Sequence, residues 1–534
     1  MKKYFTELIQ SNWFFLSLVG FVIALPLSVA FVSIFAGIIL ATALIEDRWQ
    51  NKLKRIKRNR ILLLIPAIFI LYLVSTLFAL RYDQSFYDVK KVLFYLVIPI
   101  AFSFGKELNN RQKRFLLSVF VASIFLAIFI SVVKWVVFPN DGNFSVHKIS
   151  LISHIRFSFQ LILGIWFLIY LIILNYSKLT FRQVLILSGM TLIVVMYLVF
   201  QQSLTGILAF LVSGLFFLFY LFNKIKGEYK VPVIVGFILL IIVPLIYIQQ
   251  VVRNFYRFDL VDQESVEQFT VEGNPYHHDF NNKMIENGHY VGLYVCENEM
   301  REAWNKRSEF KYDSIGLNGY RVSATLIRYL TSKDLRKDAA GVQSLKSIDV
   351  QNIEHGMANY IFQKKYSLYP RIYQTVWEYY VYTQTGNSNH QSFSQRIEFA
   401  KAAITIIKKY PLLGVGTGRW KQEFATAFKE NNSQLDESLY ASSHNQYLNY
   451  MVKFGILGFI LIMFLIIYPV VKLKRYRDPL FMIFLVYMFF ANFADSNFET
   501  HMGSSFFFFF YCFFMIGPTT YLKIDKPIFP INKD

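Results

Sequence analysis

Apolar residues in this chain run in long blocks separated by short polar breaks. The blocks lie at about 12–27, 29–45, 61–80, 89–105, 115–138, 150–174, 183–201, 203–222, 231–248, 446–471, 479–495 and 504–521. A helix rises ~1.5 Å per residue and the hydrocarbon core of a bilayer is ~30 Å thick, so roughly 20 apolar residues cross it. The pattern predicts an all-α polytopic membrane protein with about 12 transmembrane helices. The first two blocks read as a tight hairpin around Pro26. Residues 249–443 break the pattern, being polar, rich in Tyr, Asn and charge, and free of any apolar run of spanning length. At nearly 200 residues this segment is too long for an unstructured connection and reads as a large, mainly helical loop domain between spans 9 and 10. Inside it, 323–330 and 358–381 look mixed or helical, and 394–410 reads as an amphipathic helix with Ile397, Ala400, Ile404 and Ile407 on one stripe. Lys408 and Lys409 suit its C-terminal end, and Pro411 with Gly414 stops it. The expected organisation is therefore 1–248 for spans 1–9, 249–443 for the loop domain, 444–521 for spans 10–12 and 522–534 for a tail. No repeat of 20–50 residues is visible.

Composition sharpens this. Hydrophobic residues make up 55% of the 534, more than a globular interior of that size needs. The net charge of +20 suits nucleic acid in principle, but the basic residues sit mainly in short breaks between spans. Residues 46–60 hold Arg48, Lys52, Lys54, Arg55, Lys57, Arg58 and Arg60. Placing that break in the cytoplasm puts 106–114, 178–182, 224–230 and 472–477 there too, as the positive-inside rule requires. Both termini then lie in the cytoplasm and 249–443 lies on the opposite face. Met1-Lys2-Lys3 resembles the charged part of a signal peptide, but the apolar stretch from Trp13 to Ile45 is too long for one and reads as retained helices. The two cysteines, Cys296 and Cys512, do not suit a disulfide, since Cys512 falls within an apolar helix.

Chemistry concentrates between 395 and 458. Ser443 followed three residues later by Gln446 is a capping-box pattern before an apolar helix. His444 then falls in the first helical turn, where the positive helix end disfavours imidazolium and favours the neutral ring a general base needs. The same helix end suits a diphosphate. The plainer alternative is a histidine that hydrogen-bonds loop backbone. Gly414, Gly416 and Gly418 make either a helix stop and turn or a backbone nest for an anion. His277, His278 and Asp279 are a poor metal signal, because adjacent histidines lack partners at ligand spacing. No nucleotide-binding motif appears.

The order of the motifs carries more than each alone. Gln-Arg396-Ile-Glu is followed by Tyr410-Pro-Leu-Leu-Gly-Val-Gly-Thr-Gly418, then Ser442-Ser-His-Asn-Gln-Tyr-Leu448, then Phe454-Gly-Ile-Leu-Gly458. This resembles the O-antigen ligase and polymerase superfamily over roughly residues 395–460. The resemblance implies a GT-C-like fold in the bacterial inner membrane and a metal- and cofactor-independent transfer of glycan from undecaprenyl diphosphate to an acceptor hydroxyl, with inversion. It implies His444 as the base and Arg396 as a diphosphate ligand, with Asn445 beside the substrate. A second arginine is expected near the start of the large loop, where Arg253 and Arg257 both qualify. The family often shows Ser-Arg-Thr-Gly on a later span; here the stretch is Ser203-Leu-Thr-Gly206, so that arginine is absent. Arg156, in Ser153-His-Ile-Arg-Phe-Ser158 at the start of a span, is the candidate to replace it. Glu499 and His501 lie in the last outer break and are candidates for holding donor or acceptor. A ligase acting on lipid A-core fits best; a polymerase extending the glycan and a protein O-oligosaccharyltransferase share the motif set. A lipid-linked sugar transporter is the reading from another class. It predicts paired mid-depth charges and inverted repeats; the spans are largely free of acidic residues at mid-depth, and no internal repeat is visible.

Overall fold

A computed structural model describes residues 12–77, 82–137, 149–175, 178–224, 227, 230–258, 261–317, 319–364 and 367–517. The expected tail at 522–534 lies outside them. The described residues are overwhelmingly helical. Their one sheet is a two-stranded antiparallel ladder of Ile285–Glu286 with His289–Tyr290. The chain divides into two compact units. The first comprises Met1–Val137, His147–Leu240 and Arg396–Asp534, the second Phe138–Val146 and Ile241–Gln395.

Among the described residues, six helices are long and apolar enough to cross a bilayer: Asn110–Val137, His154–Asn175, Phe181–Phe200, Leu204–Lys224, Lys230–Phe255 and Gln446–Lys472. A bent pair, Val29–Ile45 with Trp49–Leu64 at 116°, makes up to seven. Trp13–Ala24, Pro66–Leu77, Pro479–Ala494 and His501–Met515 are apolar but shorter. Some blocks that read as continuous in sequence are divided locally. Block 61–80 is split into a 3₁₀ turn, Arg60–Leu64, and the helix Pro66–Leu77, because a proline has no amide to continue the ladder. The hairpin at Pro26 forms, with Ser28 Oγ accepting from Phe31 N–H to start the second helix.

Burial separates two kinds of helix in the first unit. His501–Met515 is enclosed from Met502 onward, its phenylalanines packed against Phe21, Phe120 and Phe484. The apolar windows of Phe181–Phe200 and Leu204–Lys224 are each only 17% buried. Apolar faces that wide are stable only in a non-aqueous solvent; the chain is an all-α membrane protein.

Residues 396–443 pack with this first unit. On the helix Ser392–Lys409 the buried apolar positions are Phe399, Ala402, Ala403 and Ile406, against Trp420, Phe424, Phe428 and Val452. Ile404, expected on the buried stripe, is exposed. The stripe is turned toward Phe399 because the large partners lie on that side. The second unit has its own core around Trp304, Leu326, Tyr329 and Leu330. Its buried carboxylates are matched: Glu286 pairs with Arg328 at 2.6 Å and accepts from Asn359 at 2.6 Å. Cys296 and Cys512 are both free thiols.

Candidate active site

The site is built around a broken helix. Gln446–Lys472 is interrupted at Gly455, whose φ of 64° and ψ of −174° are not helical. Such a break strands backbone groups that would each cost several kcal/mol in an apolar setting. The glycine-rich turn supplies the partners. Val415 N–H donates to Val452 O at 2.9 Å and Gly416 N–H to Lys453 O at 2.8 Å. In return Pro411 O accepts from Ile456 N–H at 2.8 Å and Leu412 O from Leu457 N–H at 3.2 Å. Only glycine permits the approach, since a Cβ on Gly455 would stand 2.1 Å from Leu412 O and one on Gly414 2.5 Å from Val452 O. Thr417 N–H is also taken, by Ser75 Oγ at 2.9 Å. The anion-nest reading of this turn is therefore corrected: its amides stitch the helix break and do not point at a ligand.

At the start of the same helix the cap differs from the expected one. Asn445 is the N-cap, its side-chain oxygen accepting from Tyr447 and Leu448 N–H at 3.0 and 3.1 Å. Ser443 instead donates to Asn449 Oδ1 at 2.7 Å. Gln446 does not close a capping box; its Oε1 accepts from Phe498 and Glu499 N–H at 2.9 and 3.2 Å. His444 thus stands one residue before the cap, outside the first turn, with φ of 48°. Left-handed backbone is uncommon for a non-glycine residue and costs on the order of 1–3 kcal/mol where it persists.

That backbone places the imidazole in a chain of charges. His444 Nδ1 lies 3.3 Å from Asp495 Oδ1, and Asp495 Oδ2 pairs with Arg156 at 2.7 Å. Arg156 and Asp495 side chains are 14% and 11% exposed, His444 41%, so the chain runs from the interior to an open imidazole edge. With Nδ1–H donating to the carboxylate, Nε2 is the bare nitrogen. Phe399 lies beside the ring, centroids 5.5 Å apart. Arg396 is three residues before Phe399 on the same helix face. Its guanidinium has no hydrogen-bond or ion-pair partner among the described residues.

Ser203-Leu-Thr-Gly206 packs onto the helix that begins beside Arg156. Ser203 Oγ donates to Ser158 Oγ at 3.4 Å, and a Cβ on Gly206 would stand 2.3 Å from the same oxygen. Arg156 therefore sits two residues from the contact made by the segment that lacks an arginine. Glu499 is turned inward, accepting from Tyr72 O–H and pairing with Lys453 at 3.0 Å. Lys453 also pairs with Asp88 at 2.8 Å, and Trp420 Nε1 donates to that carboxylate at 2.8 Å. His501 hydrogen-bonds Ser33 Oγ through Nε2 and meets Phe94 edge-on at 4.8 Å. Arg253 and Arg257 belong to the second unit, exposed along a groove of about 650 Å³ with Gln249, Gln250 and Asn254.

The structure thus gathers Arg156 and His444, with Arg396 on the helix that packs against His444, and adds Asp495, which the sequence reading passed over. Lys453 and Asp88 were also missed. Lys453 carried a usable signal, an ionisable residue inside an apolar span; Asp495 lay at the very end of one.

Fold and site together define a membrane protein with a histidine–carboxylate–arginine chain at the ends of its helices. Residues 355–463 match the family model described as O-antigen ligase, a segment that holds Arg396, the glycine turn, His444 and the Gly455 break. The match supports a place in the O-antigen ligase superfamily. A comparison with curated proteins finds no match.

Proposed function

We propose that the chain is an O-antigen ligase-type glycosyltransferase of the bacterial inner membrane. It moves a glycan from undecaprenyl diphosphate to a hydroxyl of lipid A-core, by inversion and without a metal. The observation that carries this is the Arg156–Asp495–His444 chain, of which His444 lies inside the segment that matches the family model. His444 Nε2 takes the proton of the acceptor hydroxyl while that oxygen attacks the anomeric carbon. The bond from that carbon to the phosphate oxygen breaks, and undecaprenyl diphosphate leaves with the electron pair. Asp495, 3.3 Å from Nδ1, holds the tautomer and stabilises the imidazolium that forms, as carboxylates do in histidine-based catalysis. Arg396 offers a permanent, bidentate charge to the departing diphosphate. In this reading the basic breaks and both termini face the cytoplasm, about twelve helices cross, and the site opens on the periplasmic face.

The test is transfer by His444→Ala in membranes supplied with undecaprenyl diphosphate-linked glycan and lipid A-core. Loss of a general base typically lowers rate by about 10²–10⁴-fold. Wild-type transfer by a folded variant would remove His444 from the chemistry and with it this mechanism.

A further inference from the structure

The second unit holds a polar cavity of about 300 Å³, at the lower end of small-molecule pockets, which start at roughly 300 Å³. At its base is Lys337, only 3% exposed. Its Nζ meets a backbone carbonyl, Tyr290 O at 3.2 Å, and no carboxylate lies within ion-pair distance among the described residues. A buried ammonium normally has a counter-charge. Asp334, whose charge acts on Lys337, faces His289 at 3.3 Å. One wall is a flat platform, the Arg336 guanidinium 3.8 Å from the Tyr294 ring centroid. Glu267 fixes that guanidinium with contacts of 3.0 and 3.1 Å. Asp262 and Asp334 bring acceptors to the rim.

The backbone here is unusual. Tyr294 and Asp334 both have positive φ, 56° and 55°, which is rare for an aromatic and tends to mark ligand sites. Lys337 is pinned on both sides, its N–H donating to Tyr294 O at 3.1 Å and its carbonyl accepting from Cys296 N–H at 2.7 Å.

We infer that this cavity binds an acidic sugar residue, its carboxylate paired with Lys337 and its hydroxyls with Asp262, Asp334 and the tyrosines. Burial pushes the Lys337 ammonium down to about 7, Arg336 adding to the shift and Asp334 opposing it; a bound carboxylate supplies the missing counter-charge. A free phosphate dianion would meet the same ammonium but brings about twice the negative charge of a carboxylate toward Asp262 and Asp334, so the monoanion is the better fit. That the ligand belongs to a glycan rests on the transfer reading above.

The experiment is ligand-observed NMR on the full chain in detergent, with galacturonic acid, glucose and inorganic phosphate as probes and no donor lipid present. The expected result is galacturonate binding tighter than glucose or phosphate by about tenfold or more, some 1.4 kcal/mol. Lys337→Met removes the preference, and Arg336→Gln weakens galacturonate severalfold. Equal affinity for galacturonate and glucose, tighter binding of phosphate, or undiminished binding by both variants would overturn the site. If Lys337→Met fails to fold, the wild-type comparison and Arg336→Gln decide. A chain that binds galacturonate but transfers nothing keeps this site and loses the transfer mechanism; one that transfers but binds no galacturonate does the reverse.

Discussion

His444 owes its position to its neighbours more than to its own preferences. Its left-handed backbone is held between Ser443, bonded to Asn449 at 2.7 Å, and the Asn445 cap, and its ring is aimed by Asp495. Asp495→Asn keeps the size but lets Nδ1 face an amide that can donate as well as accept, so the wrong tautomer is populated. Turnover should fall by about 10²–10⁴-fold with donor KM little changed, read from initial rates over a donor series. A drop in affinity with turnover intact would instead make Asp495 a binding residue. Lys337 gives a prediction of another kind. Its folded value of about 7 lies below its ordinary 10.5, so between those values the unfolded chain holds a proton the folded chain lacks. Stability should therefore rise with pH across that window, and below about 7 the full penalty of burying the charge applies. Lys337→Met removes a penalty on the order of a few kcal/mol. Its thermal midpoint in detergent should exceed wild type at pH 6, and the difference should shrink toward pH 10. A wild-type midpoint flat from pH 7 to 10 would contradict the burial argument.

Among the elements, the helix break at Gly455 and the turn from Pro411 to Gly418 form one structure made from two distant segments. Each supplies the hydrogen bonds the other lacks. Gly455→Ala places a methyl 2.1 Å from a carbonyl at φ 64°, so both the close approach and the backbone are lost. Gly37, in the helix Val29–Ile45, has nothing within 4 Å of a would-be Cβ. Gly455→Ala should lower stability by about 3 kcal/mol or more and expose 411–418 to protease, whereas Gly37→Ala should change stability by no more than about 1 kcal/mol. Thermal unfolding and limited proteolysis of both variants check this; equal stability would remove the stitched break. The sequence showed that glycines, a helix stop and a helix were all present. It could not show that they meet, because the bonds join residues about 40 apart. The same limit explains the stripe on Ser392–Lys409. Ile397, Ala400, Ile404 and Ile407 satisfy helical spacing as well as Phe399, Ala402, Ala403 and Ile406 do, and only the position of Trp420, Phe424 and Phe428 chooses between them. Local caps were closer to legible, missing by two residues because Asn445 outcompetes Ser443 for the orphan amides.

For the molecule as a whole, the organising feature is a charge cluster inside the first unit. Lys453 bridges Asp88 and Glu499 with side chains 4%, 2% and 10% exposed, while Trp420 Nε1 and Tyr72 O–H complete the carboxylates. Through these contacts the helix Gln446–Lys472 is tied to Tyr82–Lys91, to Pro66–Leu77 and to the turn that follows Pro479–Ala494. That turn carries Asp495, and Gln446 Oε1 holds its Phe498 and Glu499 amides. A fault in the cluster should therefore reach the candidate site at His444 and Asp495 without touching it. Removing the cation alone leaves two buried carboxylates facing each other, and losing one partner of a buried pair costs about 3–5 kcal/mol. Lys453→Met should lower thermal stability by that order and reduce transfer together with it. Neutralising all three groups, as Lys453→Met with Asp88→Asn and Glu499→Gln, leaves no unpaired charge, so the penalty of an uncompensated buried charge is gone. The triple variant should regain stability, and with it the position of Asp495 and most of the transfer rate. If stability returns but transfer does not, the cluster acts on the reaction by its charge; if Lys453→Met alone is as stable as wild type, it does not hold the helices together.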